Sequence, residues 1–278
     1  LSTFIFLAVM GAALLHATWN ALIKTGGNKL TAMLIMTIIE GVVGAVVAMT
    51  RNLPQGEVWF WVIGSGVLHS AYKFFLAFAY EHGDLSRVYP IARGTAPMIV
   101  MLVSLLFLSD VISGYETLGI ALLGVGILMM ARGVFTDGES RRLVPMALCS
   151  AMATAAYSLV DGMGARVAGD AVMFVAWLFV FDVLGFVPMA YALRGRQVFI
   201  ANRRSWGLGA VAALASYGAY AIAVWAMTQA PIALVAALRE TSILFAVLIG
   251  WLLFGERLGR VKALSAVLIV AGVMLTRI

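Results

Sequence analysis

Ten separate stretches of mostly apolar sequence, each close to the length of a membrane-crossing helix, constrain this chain more than any other feature. A helix rises about 1.5 Å per residue, so about 20 apolar residues cover the hydrocarbon core of a bilayer. The stretches are Phe4–Ile23, Leu30–Met49, Val58–Tyr80, Arg87–Leu108, Gly114–Ala131, Leu143–Gly164, Val172–Leu193, Trp206–Met227, Pro231–Leu253 and Val261–Thr276. Short connectors with turn chemistry separate them, such as Thr25 to Lys29 and Asn52 to Gly56. With 63% hydrophobic and 12% charged residues, polar side chains are too few to shield a core from water. The expected fold is an all-α membrane protein of ten transmembrane helices with lipid as its main solvent.

The chain also repeats itself. A shift of 146 residues lays Arg93-Gly94-Thr95 on Arg239-Glu240-Thr241, and Phe107-Leu108-Ser109-Asp110 on Leu253-Phe254-Gly255-Glu256. A shift of 138 lays Ala17-Thr18-Trp19-Asn20 on Ala155-Ala156-Tyr157-Ser158, and Glu40 falls near the position of Asp182. Residues 1–135 and 143–278 therefore read as two five-helix repeats. Five is odd, so the second repeat enters the membrane from the opposite side. Two inverted repeats around a central cavity are the plan of many secondary transporters.

The connectors are asymmetric in charge. Numbered in order, the odd ones hold 13 Lys and Arg, whereas the even ones and the C-terminus hold only Arg51, Arg166 and Arg277. By the positive-inside rule the odd connectors are cytoplasmic and both termini face outward. The same scatter argues against a nucleic-acid surface despite the net charge of +6. Cys149 is the single cysteine, and His16, His69 and His82 fit no zinc spacing. No Gly-x-x-x-x-Gly-Lys, His-Glu-x-x-His or Gly-x-Ser-x-Gly motif occurs, so the reading includes no cofactor, no metal and no enzyme.

Ionisable residues inside the spans are the candidate functional groups, since a charge in hydrocarbon needs a partner, a cavity or water. They are His16, Glu40, His69, Lys73, Arg93, Asp182, Arg239 and Glu240, with Asp161 near the end of a span. An internal ion pair that fixes helix packing is the plain alternative for each. His69, Tyr72, Lys73, Leu76 and Tyr80 recur at steps of three and four, and so are expected on one face of helix three. Ammonium and phenol donors side by side suit a carboxylate. In helix four, Tyr89 and Arg93 stand among Pro90 and Pro97, which are expected to break the helix. His16, Trp19 and Asn20 share a face of helix one, and His16 suits proton transfer. Trp19, Tyr157 and Trp177 are candidates for an aromatic cavity wall.

Two stretches carry a resemblance to a known family: His16-Ala17-Thr18-Trp19-Asn20-Ala21-Leu22-Ile23-Lys24, and Phe254-Gly255-Glu256-Arg257-Leu258 running into Ala271-Gly272-Val273. They resemble the ten-helix EamA-like branch of the drug/metabolite transporter superfamily, among which this chain looks similar to amino-acid exporters of the YddG type. The first repeat departs from the pattern, with Leu108-Ser109-Asp110 in place of the Gly-Glu-Arg turn. The resemblance implies cytoplasmic termini, opposite to the charge count. It also implies a secondary transporter in a bacterial inner membrane, an exporter of amino acids or similar small zwitterions working by alternating access. The expected partners are the solute and the lipid bilayer. Lys73, Arg93 or Arg239 would hold a carboxylate, with His69, Tyr72, Tyr89, Trp19, Tyr157 and Trp177 around it. Glu240, Asp182 or Glu40 would hold an ammonium, carry a coupling proton with His16, or pair internally. The rivals are a multidrug or organic-anion exporter and, further off, a membrane-embedded enzyme.

Overall fold

The computed structural model describes residues 1–24, 28–82, 85–130, 143–254 and 259–278, with the backbone alone at 24, 77–82, 85–90, 143, 253 and 254. Its elements are α1 (Thr3–Lys24), α2 (Lys29–Ala48), α3 (Val58–His82), α4 (Leu85–Phe107), α5 (Gly114–Met129), α6 (Leu143–Ala168) and α7 (Ala171–Arg194). A 3₁₀ turn at Gly195–Phe199 follows, then α8 (Arg203–Met227), α9 (Ile232–Arg239), α10 (Ser242–Phe254) and α11 (Arg260–Leu275). Eleven helices make ten spans, because α9 and α10 are two halves of the ninth. Among the described residues, six spans are long and apolar enough to cross a membrane by length and composition alone. The turn at Gly255 to Leu258 lies outside the described residues.

Polar residues in the connectors start the helices. Asn28, Asp170 and Asn202 accept backbone N–H bonds from Thr31, from Val172 and Met173, and from Ser205, and Ser113 and Glu116 form a reciprocal box. Each cap satisfies N–H groups the first turn leaves unpaired. Gly169, at φ 67°, allows the sharp passage from α6 to α7.

Packing between the halves follows a pseudo-two-fold. Helix α3 packs on α6 as α8 packs on α1, while α2 meets its own mate α7 and α5 meets α11. The 146-residue shift carries Gly119 to Ser265 and Gly126 to Gly272, and these touch reciprocally. A Cβ on Gly119 would lie 2.7 Å from the Gly272 carbonyl oxygen, and one on Gly126 would lie 3.1 Å from that of Ser265. Likewise Ser70 donates to the Asp182 carboxylate, while its mate Ser216 bonds Glu40. Large apolar side chains such as Phe60, Phe107, Leu184 and Val267 cover the outside, as a lipid-facing surface requires.

The expected break in helix four is corrected. Helix α4 continues through Pro90 and Pro97 without interruption. A missing backbone donor need not end a helix when neighbours on both sides hold it, here α5 and α6. The break falls in its mate, which has no proline there. Glu240 and Thr241 bond to carbonyls three residues back, Ala237 and Leu238 (3.1 Å each), and Ile243 and Leu244 repeat the pattern. The Thr241 hydroxyl also donates to the Leu238 carbonyl at 2.6 Å. Such local bonds compete with the helical ladder.

Candidate functional site

The ionisable groups gather into three buried clusters. Lys73 belongs to one on the α2–α7 axis. Its Nζ donates to Asp182 Oδ2 (2.5 Å) and to Thr37 Oγ1 (2.6 Å), and lies 3.4 Å from Glu40 Oε2. Lys73, a candidate for a substrate carboxylate with an internal ion pair as its alternative, faces two carboxylates of the protein. The expected single face of α3 also divides. Ser70 and Lys73 address α2 and α7, whereas His69 and Tyr72 address α6. The side chain of Tyr80 lies outside the described residues.

Repeat mates build the second cluster, at the break in the ninth span. Arg93 Nη1 donates to Glu240 Oε1 at 3.0 Å, and Arg239 Nη2 lies 3.5 Å from the same oxygen. The two arginines matched by the repeat therefore converge on one carboxylate. Arg93 Nη2 sits 2.5 Å from His16 Nε2, and Trp19 Nε1 points at His16 Nδ1 from 3.2 Å. A neutral imidazole has one lone-pair nitrogen, so His16 can accept from only one of these donors at a time. Arg239 also reaches the Tyr157 hydroxyl at 3.4 Å and stands over the rings of Tyr157 and Tyr220. Among the described residues, two polar atoms here are buried without a partner: Arg239 Nε and Glu240 Oε2. One is a donor on a cation and the other an acceptor on an anion.

Sequence reasoning named His69 and Asp161 but not their meeting in the third cluster. His69 Nε2 lies 3.0 Å from Asp161 Oδ2 and 3.2 Å from the Tyr220 hydroxyl, which itself donates to Asp161 Oδ2. His69 stacks on Tyr157 with ring centroids 4.1 Å apart. Asp161 was expected near a helix end. Helix α6 runs on to Ala168, however, and leaves Asp161 fully buried. Its partners lie 92 and 59 residues away in the chain, so no local spacing announces them. Trp177 is not brought to any of these clusters; it packs edge-on against Trp59, 5.1 Å between centroids. Tyr89 sits on α4, but its side chain lies outside the described residues.

A bilayer-embedded bundle with inverted halves and buried charges at their junction defines a polytopic carrier fold. The family model for EamA-like transporters matches residues 3–132 and again 142–278. The chain belongs to the EamA-like transporter family, within the drug/metabolite transporter superfamily. No curated protein matches it. Among solved structures, 29 chains share the fold. One crystal structure superposes on 100% of this chain and 99% of its own, with a TM-score of 0.77 at 20% identity. At that identity the likeness speaks for the fold alone.

Proposed function

We propose that this transporter carries amino acids or similar small zwitterions outward across a bacterial inner membrane by alternating access, with the solute held where Arg93, Arg239 and Glu240 converge. The observation that carries the reading is the pair of unpartnered buried atoms, Arg239 Nε and Glu240 Oε2. A buried donor and a buried acceptor left unmade cost about 1–3 kcal/mol each, more when charged. A ligand bearing a carboxylate and an ammonium group satisfies both at once. The two guanidinium groups and one carboxylate leave one positive charge over, which favours the carboxylate end. Trp19 and Tyr157 supply apolar surface beside it. Lys73 is left out of this reading, because Asp182 and Glu40 already neutralise it. The outward direction rests on the family resemblance.

The test is a solute panel in proteoliposomes, run with and without a pH gradient. Neutral amino acids are expected to be carried. Arg239→Ala is expected to reduce their transport roughly ten- to a hundredfold, the value of a hydrogen bond to a charged group. Glu240→Gln is expected to weaken amino acids more than the corresponding carboxylic acids, which lack the ammonium group. Transport of hydrophobic cations unaffected by amino acids would instead favour a multidrug carrier. Equal handling of zwitterions and simple organic anions by the wild type would favour an anion exporter.

A further inference from the structure

The aspartate, histidine and tyrosine of the third cluster have no part in that reading, yet they have the make-up of a proton site. Asp161 Oδ2 takes both described contacts, from Tyr220 and from His69, whereas Oδ1 is buried and has no partner among the described residues. With Tyr220 committing its only proton to Oδ2, the remaining variable is the proton shared by His69 and Asp161. If the pair holds none, the aspartate is an anion sealed from water and lipid, offset by two neutral donors. If it holds one, the pair is neutral overall, either as imidazolium with carboxylate or as imidazole with carboxylic acid. In a buried setting the second arrangement avoids an uncompensated charge.

Neighbouring titratable groups are engaged elsewhere, Glu240 among them, which faces the guanidinium groups of Arg93 and Arg239. On the opposite flank of α3, Lys73 is matched to Asp182 and Glu40. His16 has donors aimed at both ring nitrogens, from Trp19 and Arg93, so a further proton there would set N–H against N–H on both sides and a second cation beside Arg93. From α7 the Phe179 ring meets the triad; from α6 Tyr157 meets it, and beyond that ring stands Arg239. Tyr157 lies between the imidazole and the guanidinium: it stacks on His69 at 4.1 Å and is in hydrogen-bond reach of Arg239 at 3.4 Å. Tyr220 completes a second bridge, bonding Asp161 through its hydroxyl while the Arg239 guanidinium stands 5.5 Å from its ring centre.

We propose that Asp161, His69 and Tyr220 form a site for one proton, coupled through Tyr157 and Tyr220 to the binding of a carboxylate at Arg239. A proton on the triad adds positive potential one ring away from Arg239, where the solute's carboxylate arrives. Each therefore supports the other's binding, as linkage requires. Proton and carboxylate then travel in the same direction, so outward transport is driven by the solute's own gradient and a proton leaves with each solute. The coupling half of this proposal rests on the solute reading above; the proton site itself does not.

The experiment has two arms. In the first, infrared spectra of the purified wild type across a series of pH values follow carboxyl and imidazole bands. A titrating signal is expected that is lost in the isosteric Asp161→Asn and displaced in Tyr220→Phe, and retained in Asp110→Asn. No titrating signal in the wild type, or one that survives Asp161→Asn unchanged, overturns the site whatever the solute. In the second arm, L-alanine is added to lightly buffered protein and proton uptake is read with a pH indicator. About one proton per bound alanine is expected in the wild type, and about none in Asp161→Asn or His69→Gln. Alanine binding without proton uptake overturns the coupling. A titrating triad in a protein that binds no amino acid leaves the proton site standing and removes the solute reading instead.

Discussion

Glu40 and Asp182 hold matching places in the two repeats, and Lys73 is the cation they share. All three are at least 95% buried, so each depends on the others for its charge to be tolerated. Removing one partner of a buried ion pair commonly costs about 3–5 kcal/mol, because the other charge is left uncompensated. Lys73→Met is therefore expected to lower thermal stability in detergent substantially. The double variant Lys73→Met with Asp182→Leu is expected to recover part of the loss. A Lys73→Met protein that melts like the wild type while losing transport would instead return Lys73 to the solute site. The sequence marked these residues as out of place in lipid, and the repeat matched Arg93 with Arg239. It gave no means of telling which charges answer one another. That depends on which flank of α3 faces α2 and α7, and a step of four residues along a helix leaves the flank open. The Asp161 triad was hidden for a related reason, since its partners come from three different helices.

Among the helices, the contacts that hold the repeats together lie where backbones approach closely. Hydrophobicity alone cannot drive association in lipid, so small residues at contact points carry much of it. Helix α8 is dense in Gly and Ala, and what each small residue does there depends on what it faces. Gly209 is pressed against Ile35, whereas Gly207 faces open space. The α5–α11 seam is sharper still, because a Cβ on Gly272 would stand 2.6 Å from the Gly119 carbonyl oxygen and 2.9 Å from the Leu123 nitrogen. Neither is the movable end of a side chain. Gly272→Ala is expected to destabilise the protein by about 1–3 kcal/mol through overpacking. Gly207→Ala is expected to be neutral or mildly stabilising, since alanine favours a helix over glycine by about 1 kcal/mol. Thermal melts of the two variants in one detergent decide it, and equal melting temperatures would refute the seam. The position of the break was less legible than these contacts. The prolines that drew attention to α4 do not end it, and the interruption in the ninth span goes with hydrogen bonding around Thr241.

Across the whole molecule, the two membrane faces are held differently. On the face of the even connectors, each of the three arginines reaches across from one repeat to the other. Arg51 pairs with Asp170 at 3.5 Å, Arg277 donates to the Leu1 carbonyl at 2.7 Å, and Arg166 binds Asp110 through two nitrogens at 2.7 and 3.2 Å. Arg166 also donates to the carbonyls of Met227 and Ala230, and Asp110 accepts from the Ile232 N–H that opens α9. The Arg166–Asp110 pair thus ties α6, the α4–α5 connector and both ends of the α8–α9 connector into one latch. On the opposite face, a cleft of about 200 Å³ opens among Asn28, Thr31, Asn202 and Ser205. On the proposed alternating-access reading this conformation is the one closed at the even face, and Arg166 is expected to contribute most to that closure. Arg51 and Asp170 are too exposed to count for much, since surface pairs contribute at most about 1 kcal/mol. In a Cys149→Ser background, a cysteine at Ala233 on α9 reports entry from the even face, because that position is fully buried when the latch is shut. Arg166→Ala is expected to raise labelling of this cysteine by an impermeant maleimide roughly tenfold, matching the loss of about 1.4 kcal/mol of latch. Arg51→Ala is expected to change it less than twofold. Labelling that stays low in Arg166→Ala, or rises as much in Arg51→Ala, would show that the bidentate pair does not govern which face opens.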